Sequence, residues 1–236
     1  MLFFYIRHGD PIYDPDSLTP MGHLQAAAVA KRLAQHGIDR IYASTSNRAM
    51  LTAQPTCELT HKEMTTLDFA NEGHVWREFT VPRAEGGVTW AFYDHEYRAL
   101  FASPEVRALG DRWYDHPKLV QFKAGMLRVY DEVDAYFASL GYEHERYTGC
   151  YRVTKHSDER VALFAHQGFS MAFMSALLDI PYPQYCLHYD MGHSDFTAIN
   201  FVEHDGWAIP KVMTMSNDSH LYREGLPTLY NGEARF

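Results

Sequence analysis

Short apolar runs alternate with amphipathic segments along much of the chain. Each run is bounded by polar residues or by glycine, which is typical of strands that are buried in a sheet. The two last runs flank Asp205-Gly206, a dipeptide that favours a tight hairpin turn. The predicted strands cover residues 2–6, 41–43, 161–165, 197–202 and 207–214.

Helical periodicity follows most of these runs. Thr19 is a suitable N-cap and Pro20 fits the first helical position, so a helix is predicted from there to about residue 36, where Gly37 ends it. Apolar residues at three- and four-residue spacing predict three more helices. These cover residues 48–59, residues 126–140 and the segment after Gln167-Gly168.

The alternation of strands and helices indicates an α/β fold. We expect a three-layer α/β/α sandwich in which a mostly parallel sheet carries helices on both faces. Residues 70–120 are rich in Pro, Gly and aromatic side chains and lack a clear period. We therefore predict a single domain, 1–236, with an irregular, partly helical insertion at about 70–145 over the active site.

Candidate chemistry lies where the predicted strands end. Arg7, His8 and Gly9 follow the first strand, Arg48 follows the second, and His166 follows the third. Ligands of open α/β sheets bind beyond the carboxyl ends of the strands. Two guanidiniums can hold a phosphate, glycine allows a close backbone approach, and imidazoles can attack phosphorus or donate to its oxygens.

Five motifs resemble the histidine phosphatase (phosphoglycerate mutase-like) superfamily. MLFFYIRHGD at 1–10 is similar to its opening strand, and LTPMGHLQA at 18–26 to its L-T-x-x-G-x-x-Q-A helix start. YASTSNRAMLTA at 42–53, FAHQG at 164–168 and NDSHL at 217–221 resemble later motifs. The resemblance implies a metal-independent phosphatase in which Arg7, His8, Arg48 and His166 form the phosphate pocket and His8 becomes phosphorylated.

The family's proton donor is harder to place. Its usual segment, L-x-E-x-x-x-G-x-W-E-G, has LDFANEGHVW at 67–76 as its nearest match, with Phe69 at the position of the acid. Glu72 is the best substitute because it precedes Gly73, and Asp68 and Glu78 are the alternatives.

A third histidine, His193, is a weaker candidate for binding substrate. It precedes a late predicted strand, where it could line the pocket or cap a turn with Ser194 and Asp195.

Composition and net charge exclude several classes of binding partner and cofactor. The net charge of −9 argues against nucleic acid or an anionic membrane, and a small phosphorylated substrate must meet a local positive pocket. The three cysteines form no CxxC pair, and the chain has no HExxH-type metal motif. We expect no cofactor, no metal and a cytoplasmic protein, since the apolar run at residues 2–6 is too short for a signal peptide or a membrane span.

Two other functions remain open at this stage. One is mutase-type phosphoryl transfer, although family mutases have a longer segment than residues 10–17 between the first two motifs. The other is a module that binds a phosphorylated ligand without turning it over. The sequence is also compatible with a homodimer.

Overall fold

An eight-stranded mixed sheet organises the chain. The computed structural model describes residues 1–231. Its strands are β1 (Leu2–Arg7), β2 (Pro11–Ile12), β3 (Ser17–Leu18), β4 (Arg40–Ser44), β5 (Met64–Leu67), β6 (Thr80–Pro82), β7 (Val88–Trp90), β8 (Tyr142–Glu145), β9 (Cys150–Val153), β10 (Arg160–Ala165), β11 (Phe196–His204) and β12 (Trp207–Asn217).

The main sheet is half parallel and half antiparallel. Its order is β5-β4-β10-β1-β11-β12-β9-β8, and β2-β3 and β6-β7 are separate two-stranded sheets. The pairings from β5 to β1 are parallel, whereas those from β1 through β11 to β8 are antiparallel. The expectation of a mostly parallel sheet is therefore corrected, because two hairpins, β8-β9 and β11-β12, build the second half.

Helices cover both faces of the sheet. They are α1 (Pro20–Ala34), α2 (Asn47–Thr60), α3 (Glu72–Phe79), α4 (His95–Phe101), α5 (Pro104–Leu109), α6 (Lys123–Ser139), α7 (Gln167–Leu178), α8 (Tyr182–His188) and α9 (Ser219–Glu224). Short 3-10 turns occur at Asp68–Ala70, Gly110–Asp115 and Val120–Phe122. None of the helices in residues 1–231 combines the length and the apolarity needed to cross a bilayer.

Two apolar cores lie on opposite faces, which confirms the three layers. The smaller core includes Val29 of α1, Ala53 of α2 and Phe164 of β10. The larger core includes Phe137 of α6 and Phe173 of α7. Each face of the central strands is therefore buried against helices, as a buried strand of an α/β sheet requires.

The sequence signals at the first helix are confirmed. Thr19 caps α1, since its hydroxyl accepts from the Gly22 amide at 3.0 Å, and Pro20 occupies the first turn. Between β5 and β8, residues 68–139 form helices, short turns and the β6-β7 hairpin rather than strands of the main sheet. The main sheet resumes at Tyr142, inside the interval predicted for the insertion.

Candidate active site

The segments that follow β1, β4 and β10 meet at the carboxyl ends of these parallel strands. His8 follows β1, Arg48 lies in the first turn of α2 after β4, and His166 lies between β10 and α7. These strands are parallel neighbours, so their carboxyl ends lie side by side. A cavity of about 460 Å³ opens there. Its lining consists of Arg7, His8, Tyr13, Arg48, Glu72, Gly73, Trp76, Trp90, Gln167 and Asn231.

His8, the predicted nucleophile, is held neutral. Its side chain is buried, and its Nδ1 lies 2.8 Å from the carbonyl oxygen of Gly9, so Nδ1 donates to that oxygen and Nε2 keeps its lone pair. Burial, together with the electrostatic effect of His166, Arg7 and Arg48, lowers the pKa of His8 well below 6.5. The imidazole is therefore unprotonated at neutral pH, as attack on phosphorus requires.

Two arginines supply positive charge to the cavity. Arg7 is buried and donates to the carbonyl oxygen of Met191 and to the side chain of Asn231. Arg48 donates to Asp16 at 2.8 Å and to Glu72 at 3.1 Å. The buried Nε atoms of both arginines have no hydrogen-bond partner in residues 1–231. Such donors are costly to bury unless a ligand or water satisfies them.

His166 presents its second nitrogen without a partner. Its Nε2 lies 2.8 Å from the Ser44 hydroxyl and 3.1 Å from that of Ser46. A hydroxyl that donates to Nε2 leaves the proton on Nδ1, and this buried Nδ1 forms no hydrogen bond within the described part of the chain. Burial and the nearby Arg48 and Arg7 lower the pKa of His166 well below 6.5. His166 is therefore a neutral donor through Nδ1, and its ring centroid lies 5.2 Å from that of His8.

Glu72 reaches the site from the first turn of α3. Its Oε1 accepts from the Gly168 amide at 2.9 Å, and its Oε2 lies 3.1 Å from Arg48 and 3.7 Å from His166 Nδ1. The amide of Gly168 belongs to the first turn of α7, where backbone N–H groups have no intrahelical acceptor. The carboxyl group is thus fixed within reach of the reacting atoms.

The two alternative acids lie elsewhere. The side chain of Asp68 is 78% exposed and pairs with His74, and Glu78 pairs with Arg128. Neither of them lines the cavity. Glu72 is thus the only one of the three candidate acids that lines the cavity, and its role as the proton donor stays a prediction.

Gly9 and His193, both predicted to bind substrate, lie next to His8 but do not line the cavity. A Cβ at Gly9 would lie 2.6 Å from the carbonyl oxygen of Gly22, so the close approach that glycine allows here is to α1. The Gly9 amide donates to Thr52 at 3.0 Å, and its role in binding substrate stays a prediction. The His193 ring stacks on His8 at 5.9 Å, and burial and Arg7 lower its pKa to about 3.

Several residues of the site carry no clear sequence signal. Asp16 lies in the short segment between motifs, yet it holds Arg48. Asn231 is 224 positions from its partner Arg7 and belongs to none of the motifs. Gln167 could have been chosen as a site residue from the sequence, because it follows His166 directly. Its amide donates to Tyr93 at 3.0 Å and to Asp190 at 2.8 Å.

A metal ion is a geometric option that the charges disfavour. Donor atoms of His8, Glu72 and His166 lie within 4.8 Å of one another, a spacing that a shared cation could bridge. Arg7 and Arg48 line the same cavity. Glu72 is the one carboxylate among the described residues that line this cavity, so the lining carries more positive than negative charge and favours an anion over a cation.

Comparison with known proteins gives the family. The model of the histidine phosphatase superfamily (branch 1) matches residues 4–134, more than half of the chain. No curated protein sequence matches.

Solved structures of low sequence identity share the fold. Phosphoserine phosphatase of Entamoeba histolytica, with 3-phosphoglyceric acid, has 18% identity and a TM-score of 0.59 over 93% of this chain and 98% of that one. Mycobacterial glucosyl-3-phosphoglycerate phosphatase with VO3 has 20% identity and a TM-score of 0.58, over 92% and 99% of the two chains. Alpha-ribazole phosphatase of Shigella flexneri has 16% identity and a TM-score of 0.56, over 92% and 96%. From the family match, the chain belongs to branch 1 of the histidine phosphatase superfamily.

Proposed function

We propose that the protein is a phosphomonoester hydrolase that acts on a small phosphorylated metabolite through a phosphohistidine intermediate. The observation that carries this proposal is a neutral His8, with Nε2 free, beside three buried donors that lack partners in the described residues. These donors are Arg7 Nε, Arg48 Nε and His166 Nδ1. The three structural neighbours described above are each named as a phosphatase, which is consistent with it.

In the first step, His8 Nε2 attacks phosphorus while the bond from phosphorus to the ester oxygen breaks. Arg7, Arg48 and His166 stabilise the negative charge on the phosphoryl oxygens. Glu72, entering as the carboxylic acid, gives its proton to the departing alkoxide. Histidine is now phosphorylated, and the free alcohol leaves.

In the second step, water replaces the alcohol. The Glu72 carboxylate takes a proton from the water as its oxygen bonds to phosphorus, and the bond between phosphorus and Nε2 breaks. Inorganic phosphate leaves, and His8 and protonated Glu72 are restored. The cycle consumes one water for each ester and needs no other reactant.

Release of inorganic phosphate from 4-nitrophenyl phosphate and from an alkyl phosphate tests this function. We expect wild-type protein to release phosphate and His8→Ala to lose about 10³-fold or more in kcat/KM, because the nucleophile is absent. His204→Ala is the matched control, since the His204 side chain is 88% exposed and far from the cavity lining.

Activity of folded His8→Ala within tenfold of wild type would exclude the proposed nucleophile. Transfer of phosphate to an added alcohol or phosphoglycerate, in preference to water, would indicate a mutase. Binding of phosphate esters without any turnover would indicate a binding module.

A further inference from the structure

The part of the cavity beyond the phosphate-binding groups carries no charge. Arg7, His8, Arg48 and Glu72 belong to the reacting centre. The rest of the lining is aromatic, glycine or neutral amide: Tyr13, Gly73, Trp76, Trp90, Gln167 and Asn231. The leaving group of a bound ester therefore meets a neutral and largely apolar wall.

Two tryptophans of this wall pack against each other. Trp76 and Trp90 pack edge to face, with ring centroids 4.9 Å apart at 88°. Trp90 is buried against the start of α7, where a Cβ added to Gly168 would lie 2.3 Å from its ring. Trp76 remains 39% exposed beside the cavity. Covering its ring with an apolar ligand would remove hydrated apolar surface, which is favourable.

Tyr13 brings a third ring to the cavity. It is 63% exposed, and the Arg48 guanidinium lies 5.4 Å from its ring centroid. A flat ligand group between Tyr13 and Trp76 would have aromatic partners available without displacing a buried side chain. The volume of about 460 Å³ is within the range of small-molecule sites.

A charged leaving group would have no partner there. Arg7 and Arg48 are the only Lys or Arg residues that line the cavity in the described part of the chain, and the phosphate itself engages them. The chain carries a net charge of −9, so its overall field also repels a second anionic group. Burying a carboxylate without a partner costs free energy that a neutral ring does not lose.

We propose that the cavity selects phosphomonoesters whose alcohol carries an uncharged, flat apolar group, such as an aromatic ring. Trp76, Trp90 and Tyr13 contact the ring. That these esters are substrates rests on the proposed function, but the preference in binding does not depend on turnover.

Calorimetric titration with phosphonates tests the preference without hydrolysis, because a carbon replaces the ester oxygen. The probes are propylphosphonate, 3-phenylpropylphosphonate and its 4-carboxyphenyl derivative. We expect the phenyl compound to bind wild-type protein about tenfold or more tightly than the propyl compound. The added carboxylate should abolish most of that gain.

Two tryptophan variants locate the effect. Trp76→Ala should lower the ratio of phenyl to propyl affinity several-fold. Trp207→Ala should leave the ratio unchanged, since Trp207 is equally exposed, at 41%, but lies on β12 away from the cavity. Because both affinities are measured on the same variant, a change in its stability that weakens both ligands equally cancels in their ratio.

Equal affinities for the phenyl and propyl compounds, or tighter binding of the carboxylate derivative, would overturn the inference. An unchanged ratio of phenyl to propyl affinity in Trp76→Ala would also overturn it. A failure of the proposed function shows differently, as phosphonate binding without any release of phosphate from esters.

Discussion

At the scale of single residues, the main feature of the site is the fixed protonation of two histidines, His8 and His166. His8 and His166 both have pKa values far below their ordinary value, mainly because they are buried. Their hydrogen-bond partners then decide which nitrogen carries the proton. The carbonyl of Gly9 holds the proton of His8 on Nδ1, and the hydroxyls of Ser44 and Ser46 leave the proton of His166 on its Nδ1.

Glu72 gives a prediction that depends on the leaving group. Glu72→Gln keeps the size of the side chain and an acceptor for Gly168, but it has no acidic proton. We expect alkyl phosphates, which leave as poor alkoxides, to react about 10²–10⁴-fold more slowly. Nitrophenyl phosphate should lose much less in its first step, and a burst of nitrophenolate should appear in rapid mixing because water lacks its base.

Asp68→Asn and Glu78→Gln are the controls for this experiment. Both residues were alternatives from the sequence, and both pair with side chains outside the cavity lining. A leaving-group-dependent loss in either variant, with Glu72→Gln behaving as wild type, would move the acid to that residue.

At the scale of elements, a buried ion cluster joins three of them away from the active site. His144 of β8 contacts Asp134 of α6 at 2.8 Å and Asp179, just after α7, at 3.0 Å. Its side chain is inaccessible to solvent. Burial lowers the pKa of His144, but the hydrogen bonds and charges of Asp134 and Asp179 outweigh it and raise the pKa to about 9.

This shift predicts how stability depends on pH. The folded pKa lies above the unfolded value of 6.5, so the stabilisation is complete below pH 6.5 and is lost as pH rises through about 9. The shift corresponds to about 3 kcal/mol. The difference in free energy of unfolding between wild type and His144→Gln should therefore shrink by about that amount between about pH 6 and about pH 10.

Denaturant titrations at several pH values measure this difference. His204→Gln, at an exposed position, should show no comparable dependence on pH. A constant difference between wild type and His144→Gln would mean that the histidine is not charged in the folded protein.

The sequence predicted the elements with strong local signals and missed those that depend on distant partners. The Thr19-Pro20 cap and the apolar runs of β1 and β10 suffice to place their elements. The strands β8 and β9 contain His144, Arg152 and other polar residues, because the edge of the sheet is only partly buried. The pairing of β9 with β12 and of β8 with β9 extends the antiparallel half beyond the hairpin that Asp205-Gly206 indicated.

The same distinction holds within the site. Arg7, His8, Arg48 and His166 stand in local motifs and could be placed from the sequence. Asn231 reaches Arg7 only through the path of the C-terminal segment, where the His193 amide donates to the Leu229 carbonyl at 2.8 Å. The sequence left three candidates for the proton donor. Of these, Glu72 contacts Gly168 and Arg48 because it lies in the first turn of α3.

At the scale of the whole molecule, a positive pocket exists within a negative protein. The net charge is −9, yet Arg7 and Arg48 converge on one cavity. In the proposed mechanism, these two guanidiniums supply the charge neutralisation that divalent cations supply in other phosphoryl-transfer enzymes. It therefore predicts how activity responds to chelators and to phosphate analogues.

Phosphate release should be unchanged after dialysis against EDTA, and vanadate should inhibit it by filling the anion pocket. Added Mg²⁺ or Mn²⁺ should give no activation. Loss of activity in EDTA that either metal restores would instead support a cation bound by His8, Glu72 and His166, whose donor atoms are close enough to share one.

The central claim is that His8 carries the phosphoryl group, and trapping that intermediate tests it most directly. Wild-type protein is mixed with excess substrate, quenched in alkali within milliseconds and mapped by mass spectrometry. The account predicts one phosphate on the peptide that contains His8, stable in alkali and labile in acid, and none in His8→Ala. Turnover by wild-type protein with no phosphate on that peptide, or with phosphate on another residue, would contradict it.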